Sequence, residues 1–234
     1  MITTLTKNAS FIMVALGITM LIVVMSIVYQ RFCIKDGRSL RNARSIAYIA
    51  LFSALAAILM LIEIPLFFAP EFYKLDLSEI AVLICAFYLG PVAGVISELL
   101  KIVLHLLFKG TTTALVGEFS NFLIGCSMIL PASIVYHYRK SKKAAVIGLG
   151  IGTIVMTAFG SFFNAVYLIP KYSEIYGLPL DSIIEMGSKI NPAIDSLSKL
   201  VIYATVPFNL LKGILVSVLT FLLYKRVEKL LLRK

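Results

Sequence analysis

Hydrophobic positions fall into long unbroken runs rather than into alternation or a narrow helical stripe. The runs are Phe11–Tyr29, Ile46–Phe68, Ile80–Leu89, Val92–Phe108, Phe119–Tyr136, Ala144–Ile169 and Leu200–Tyr224. Apolar stretches of this length predict helices, because a backbone in hydrocarbon must satisfy its own polar groups. All but Ile80–Leu89 are long enough to cross a hydrocarbon core of about 30 Å. Gly90-Pro91 separates the short third run from the fourth, since Pro lacks an N–H and Gly turns freely.

Against this background the few polar residues inside runs stand out. In the last run, Thr205-Val-Pro-Phe-Asn-Leu-Leu-Lys-Gly213 carries Asn209 and Lys212 three residues apart, on one helical face. An ammonium at the centre of a membrane helix costs roughly 2.5–3.5 kcal/mol, so Lys212 must face a partner or a polar cavity. The pair is therefore a candidate ligand site; the alternative is that Lys212 snorkels to an interface or meets a carboxylate. Asn164, near the outer end of the sixth run, offers a donor and an acceptor on one amide. Together the two amides and Lys212 complement an edge that alternates C=O, N–H and C=O, as a pyrimidinedione does. As plain contacts between helices, such amides contribute around 0.6 kcal/mol each. Glu98, Lys101 and His105 follow i, i+3, i+7 spacing, suited to a proton relay or to a Glu–Lys pair that neutralises both charges.

Three further stretches carry candidate chemistry. Pro65 and Pro70 stiffen a segment rich in aromatic rings, Phe67, Phe68, Phe72 and Tyr73, which suits stacking on a flat ligand or anchoring at the membrane interface. Gly110-Thr111-Thr112-Thr113 offers hydroxyls to a polyol, or simply a hairpin before Glu118. Ala50-Leu-Phe-Ser-Ala54 makes a stripe of small residues that lets another helix approach closely.

Composition agrees with the runs. The 234 residues are 60% hydrophobic and 15% charged, against roughly 25% charged in soluble domains, which makes this an integral membrane protein. A net charge of +10 raises the question of nucleic acid, but no basic face interleaved with aromatics is present. Instead, 14 of the 22 basic residues sit in three clusters between runs: Arg31, Lys35, Arg38, Arg41 and Arg44; Arg139, Lys140, Lys142 and Lys143; Lys225, Arg226, Lys229, Arg233 and Lys234. Seven crossings place all three on one side, cytoplasmic by the positive-inside rule, with the C-terminus inside. The longer loops, Ala69–Glu79, Lys109–Glu118 and Pro170–Lys199, then face outward, the last as an irregular lid near Tyr167, Tyr172 and Tyr176. Cys33, Cys85 and Cys126 are scattered without C-x-x-C spacing, and His105 and His137 lie on separate segments, so neither a metal site nor a disulfide framework is expected. No nucleotide-binding loop, serine-hydrolase elbow or zinc-protease motif occurs, and no inverted repeat is apparent.

The segments Lys74-Leu-Asp-Leu-Ser-Glu-Ile80, Gly90-Pro-Val-Ala-Gly94, Glu98-Leu-Leu-Lys101, Gly117-Glu-Phe-Ser-Asn-Phe-Leu-Ile-Gly125, Asn164-Ala-Val-Tyr and Pro207-Phe-Asn-Leu-Leu-Lys-Gly213 together resemble the S component of energy-coupling factor (ECF) vitamin transporters, in particular the riboflavin-specific type. The similarity runs from about Arg44 to the C-terminus. It implies an all-α membrane protein, with a six-helix S-component bundle in residues 45–234 and one extra transmembrane helix with a basic linker in residues 1–44. It also implies capture of riboflavin from outside, working with a transmembrane coupling subunit and two cytoplasmic ATPases, with no resident cofactor and no enzymatic activity. By the same resemblance Asn164, Asn209 and Lys212 are ligand contacts, with Phe68, Tyr73, Thr111 and Thr112 completing the pocket. Ala50 and Ala54 then face the coupling subunit. FMN or another vitamin as ligand, and a proton-coupled carrier built on Glu98, Lys101 and His105, are the alternatives. The segment Met1–Arg44 and the length of Pro170–Lys199 depart from the minimal six-helix pattern.

Overall fold

The computed structural model describes residues 9–33, 40 and 42–232; Lys35, Arg38, Arg41, Arg233 and Lys234 of the basic clusters lie outside these. The elements in chain order are α1 (Ala9–Cys33), α2 (Ala43–Leu61), a two-stranded ribbon β1 (Ile64–Pro65) and β2 (Lys74–Leu75), α3 (Glu79–Leu89), α4 (Pro91–Lys109), α5 (Val116–Arg139), α6 (Lys142–Phe163), α7 (Ile169–Tyr176), α8 (Leu180–Ser188), α9 (Leu197–Leu200) and α10 (Val206–Leu232). Five-residue π-helical turns, Asn164–Leu168 and Val201–Thr205, join α6 to α7 and α9 to α10. Among the described residues, six helical spans are long and apolar enough to cross a membrane, and α3 is shorter. The fold is an all-α membrane bundle, as the runs require.

At 1.5 Å per residue, α3 is only about 16 Å long. All of its residues are buried, and α2, α4, α5 and α10 surround it. Its uniformly apolar surface therefore reads as a core helix rather than a lipid-facing one. Glycines let the remaining helices close up. A Cβ on Gly148 would sit 2.6 Å from the Ala132 carbonyl, and one on Gly152 would sit 2.7 Å from that of Met128, so α6 lies directly on the α5 backbone. Between α6 and α10, Thr153 Oγ1 donates to the Gly213 carbonyl at 3.2 Å.

Two sequence expectations change. The second run was expected to stay continuous to Phe68, but α2 stops at Leu61. The residue before a proline avoids helical dihedrals and Pro65 lacks an N–H, so the chain turns into β1, paired in antiparallel register Ile64 with Leu75 and Pro65 with Lys74. The segment Pro170–Lys199, expected as an irregular loop, is largely helical in α7, α8 and α9. Pro170 does not end the sixth helix, because the backbone widens just ahead of it: the Ile169 N–H reaches back to the Asn164 carbonyl, five residues away, and the helical path continues to Tyr176.

One end of the bundle gathers the described residues of the three basic clusters. The Gln30 side chain accepts from the Val92 N–H at 3.0 Å, His137 Nε2 lies 2.9 Å from the Ala86 carbonyl, and the Tyr48 hydroxyl donates to the Leu231 carbonyl at 3.3 Å. The end of α1, the start of α2, the α3–α4 turn and the ends of α5 and α10 therefore meet there. The aromatic residues Phe87 and Tyr136, stacked at 4.3 Å, close the core on that side. The other end holds the β-ribbon, the α4–α5 loop and α7–α9.

Candidate functional site

A buried cavity of about 170 Å³ opens toward the end opposite the basic clusters. Its wall brings together the residues that sequence spacing singled out on separate helices: Asn164, Asn209 and Lys212, with Tyr73 from the segment before β2. Phe72, Tyr172 and Phe208 supply aromatic surface, and Asn121, Asp76 and Glu63 complete the polar side. The Tyr73 and Phe208 rings lie 5.1 Å apart, and Phe72 and Tyr73 4.6 Å apart.

The first π-helical turn contributes Asn164 and Leu168 to this wall, and the second stands behind it, reaching Tyr73 through Thr205. The two turns pack against one another. The first carries Asn164, which is 3% exposed and donates to the Gly160 carbonyl at 2.8 Å. The second carries Thr205, whose hydroxyl lies 2.7 Å from that of Tyr73. The Tyr73 hydroxyl in turn donates to Asn164 Oδ1 at 3.1 Å. Burial raises the Tyr73 phenol above its ordinary value, so it remains a neutral donor. Asn209 donates to Ser161 Oγ at 3.3 Å across α6 and α10. A Cβ at Gly160 would meet the Asn209 amide at 3.1 Å, so that glycine leaves the space the amide occupies.

Lys212 resolves the question its sequence position posed. It faces the cavity and also meets carboxylates, Asp76 Oδ2 at 2.8 Å and Glu79 Oε1 at 3.1 Å. Asp76 lies in the β2–α3 loop, where its carboxylate also accepts from the Ser78 N–H at 3.0 Å and from the Ser78 hydroxyl. Burial by itself would raise this carboxyl, but the ammoniums of Lys212 and Lys101 outweigh it and hold Asp76 down at about 2. Asp76 and Glu79 are the residues that sequence spacing gave no role. The signal for them was indirect: a lysine buried in an apolar run requires a carboxylate, and these two acids stand just before and at the start of the apolar helix α3.

Deeper in, Lys101 reaches Glu98 Oε1 at 2.7 Å, Glu79 Oε1 at 3.3 Å and Ser78 Oγ at 3.1 Å. The i, i+3 pair is formed, and a second carboxylate, Glu79, joins it. His105 is buried on the same helix with neither ring nitrogen hydrogen-bonded among the described residues.

The remaining sequence candidates lie outside the cavity wall. Phe68 packs with Leu66 and Phe72 against the Tyr73 and Leu75 cluster. The Thr111 hydroxyl donates to Glu118 at 3.0 Å and accepts from the Leu115 N–H at 3.0 Å, which closes the hairpin, and Thr112 is exposed. Thr113 and Gly117 approach the wall instead, the Thr113 hydroxyl accepting from the Gly117 N–H at 2.9 Å. At the mouth, Glu63 pairs with Lys74 at 2.7 Å and with Lys109. Ala50 and Ala54 point outward from α2 and are exposed.

A helical membrane bundle with a partly aromatic cavity, floored by amides and an ammonium, is built to hold a small molecule rather than to transform one. The family model for the substrate-specific component of ECF transporters matches residues 44–224. The chain belongs to that family, whose members are transport components and not enzymes. It is 35% identical over 193 residues to the riboflavin transporter RibU of Staphylococcus aureus (strain TCH60), covering 82% of this chain and 94% of that protein. It is 29% identical over 189 residues to the riboflavin transporter FmnP of Bacillus subtilis (strain 168), covering 80% and 93%. Among solved structures it matches one described as "Structure and mechanism of the S component of a bacterial ECF transporter" at a TM-score of 0.63 and 35% identity, covering 81% of this chain and 98% of that one.

Proposed function

We propose that this chain captures riboflavin from outside the cell and delivers it to an ATP-driven uptake complex made with a transmembrane coupling subunit and two cytoplasmic ATPases. The observation that carries the reading is the convergence of Asn164, Asn209 and Lys212 on one cavity walled by aromatic rings. Two amides and an ammonium complement the alternating carbonyl and N–H edge of the flavin's pyrimidinedione, while Phe72, Tyr73, Tyr172 and Phe208 offer faces for its flat rings. The names of the relatives support the same ligand.

The volume adds a mechanical step. Pockets for molecules of this size run to about 300–1,000 Å³, above the 170 Å³ of the cavity. Entry therefore requires the cavity to widen, and Phe68, Thr111 and Thr112 belong to the shell that closes again behind the ligand. The basic end faces the cytoplasm, with the C-terminus inside. Residues 45–234 form the binding domain and residues 1–44 an appendage. The family match that begins at residue 44 supports this division, and a chain starting at residue 45 is expected to bind the flavin. Ala50 and Ala54, small and exposed on α2, suit close contact with the coupling subunit. Ala50→Leu with Ala54→Leu is expected to leave binding intact and abolish uptake in cells.

Purified protein titrated with riboflavin tests the ligand. One-to-one quenching of flavin fluorescence is the expected result; protein that is colourless and quenches nothing would remove riboflavin as the ligand.

A further inference from the structure

Beneath the cavity, five ionisable side chains form one buried network: Asp76, Glu79, Glu98, Lys101 and Lys212, each no more than 6% exposed. Three carboxylates share two ammoniums, so with every group in its ordinary ionised form the network carries one uncompensated negative charge. A lone charge in a low-dielectric interior is far more costly than a paired one, and such sites relieve it by gaining a partner or becoming neutral.

The contacts show where the imbalance sits. Asp76 is held by Lys212 and by both donors of Ser78. Glu79 meets both lysines, at 3.3 and 3.1 Å. Glu98 touches Lys101 alone, and neither of its oxygens meets a hydrogen-bond donor in bonding geometry among the described residues. It is fully buried and absent from the cavity wall. On the α5 side a Cβ at Gly125 would overlap Glu98 Oε1, so backbone presses against the carboxyl.

Among the described residues, the groups around Glu98 offer no second cation close by. Its own helix supplies Lys101 and, two turns on, His105; α3 supplies Glu79, α5 the buried Cys126, and α10 the more distant Lys212. The middle of α2 brings only Ser53, bonded to Ser97 at 3.1 Å. No cluster of acids, histidines and cysteines fit for a metal ion occurs among the described residues, and a metal here would sit against two ammoniums. A proton balances the charge without adding volume.

We propose that this network is a proton-binding site that holds one proton at neutral pH, seated on the Glu98 carboxyl. The proton remains with the protein, and because Lys212 belongs to both network and cavity, proton and cavity ligand affect each other's binding reciprocally.

Infrared spectroscopy of the full chain in detergent at neutral pH, without ligand, tests this independently of what the cavity binds. The expected spectrum contains the C=O stretch of one neutral carboxylic acid, lost in Glu98→Gln, which keeps the shape and neutrality of the protonated side chain. A wild-type spectrum without the band overturns the proposal whether or not the variant folds, and so does a band that survives in Glu98→Gln. Thermal unfolding gives a second readout. A carboxyl neutral in the fold and ionised in the unfolded chain makes folding take up a proton, so stability falls as pH rises through neutrality. The wild type is expected to lose midpoint temperature over that range more steeply than Glu98→Gln; parallel profiles would overturn the proposal.

Discussion

The two ends of the bundle handle charge in opposite ways. At the cavity end, acids and bases from the β2–α3 loop, α3, α4 and α10 are withdrawn from water and interlocked, Lys212 with Asp76 and Glu79, Lys101 with Glu79 and Glu98. At the basic end, the described charges lie near the surface and are mostly of one sign, and Lys225–Glu228 is a local pair one turn apart on a single helix. Buried opposite charges fix side-chain positions across helices and so can shape a site. Exposed charges of one sign fix little inside the fold and instead set how the protein sits in the membrane.

The comparison breaks most sharply at Lys101. Lys101→Met leaves Glu79 and Glu98 without their shared cation, and removing one partner of a buried pair costs about 3–5 kcal/mol. The expected outcome is a large fall in thermal midpoint and in yield. The same change at Lys225, on the exposed side, is expected to shift the midpoint little, and equal effects would erase the distinction between the two ends.

Lys212→Ala comes next. It removes a charge-assisted donor worth about 1.5–3 kcal/mol, so riboflavin affinity should fall by about tenfold to a hundredfold in the fluorescence titration. It also strands Asp76 and Glu79, so a lower midpoint should accompany the weaker binding. Asn209→Ala separates these effects. Among the described residues its amide bonds only to Ser161, and loss of a neutral hydrogen bond of about 0.5–1.5 kcal/mol predicts about a two- to tenfold weaker Kd with stability nearly kept. An unchanged Kd would return Asn209 to a role between helices.

Glu63 gives the smallest effect. Burial raises its carboxyl, but hydrogen bonds and charge from Lys109 and Lys74 prevail and hold it below the usual carboxylate range. A folded value below the unfolded one means that this contribution is present above the unfolded value, near 4.3, and disappears as pH falls through the folded value. As a partly exposed pair it is worth at most about 1 kcal/mol. Glu63→Gln should therefore lower the midpoint slightly at neutral pH and converge with the wild type in acid.

Much of the fold was legible in the chain because a bilayer makes hydrophobic length a direct reading of helix number. The candidate site was legible where a polar residue interrupts an apolar run, as Asn164, Asn209 and Lys212 do. What could not be read were partners distant in sequence: Lys212 and Asp76 lie 136 positions apart, and Tyr73 and Asn164 lie 91 apart. Local chemistry alone also leaves a turn open to two readings: three consecutive threonines suggest a polyol site, and in this structure Thr111 gives its hydroxyl to Glu118 and the turn. Pro170 suggested a helix end, and a π-helical turn, which no single residue announces, carries the helix past it.

The central claim is that the ligand occupies this cavity and enters from outside. Asn121 lines the wall, and Cys85 and Cys126 are buried, so Asn121→Cys in a Cys33→Ser background places one reactive thiol at the site. Labelling of intact cells with a membrane-impermeant maleimide should proceed without ligand and slow strongly at saturating riboflavin. A labelling rate that riboflavin does not change, or a thiol reached only from the cytoplasmic side, would contradict it.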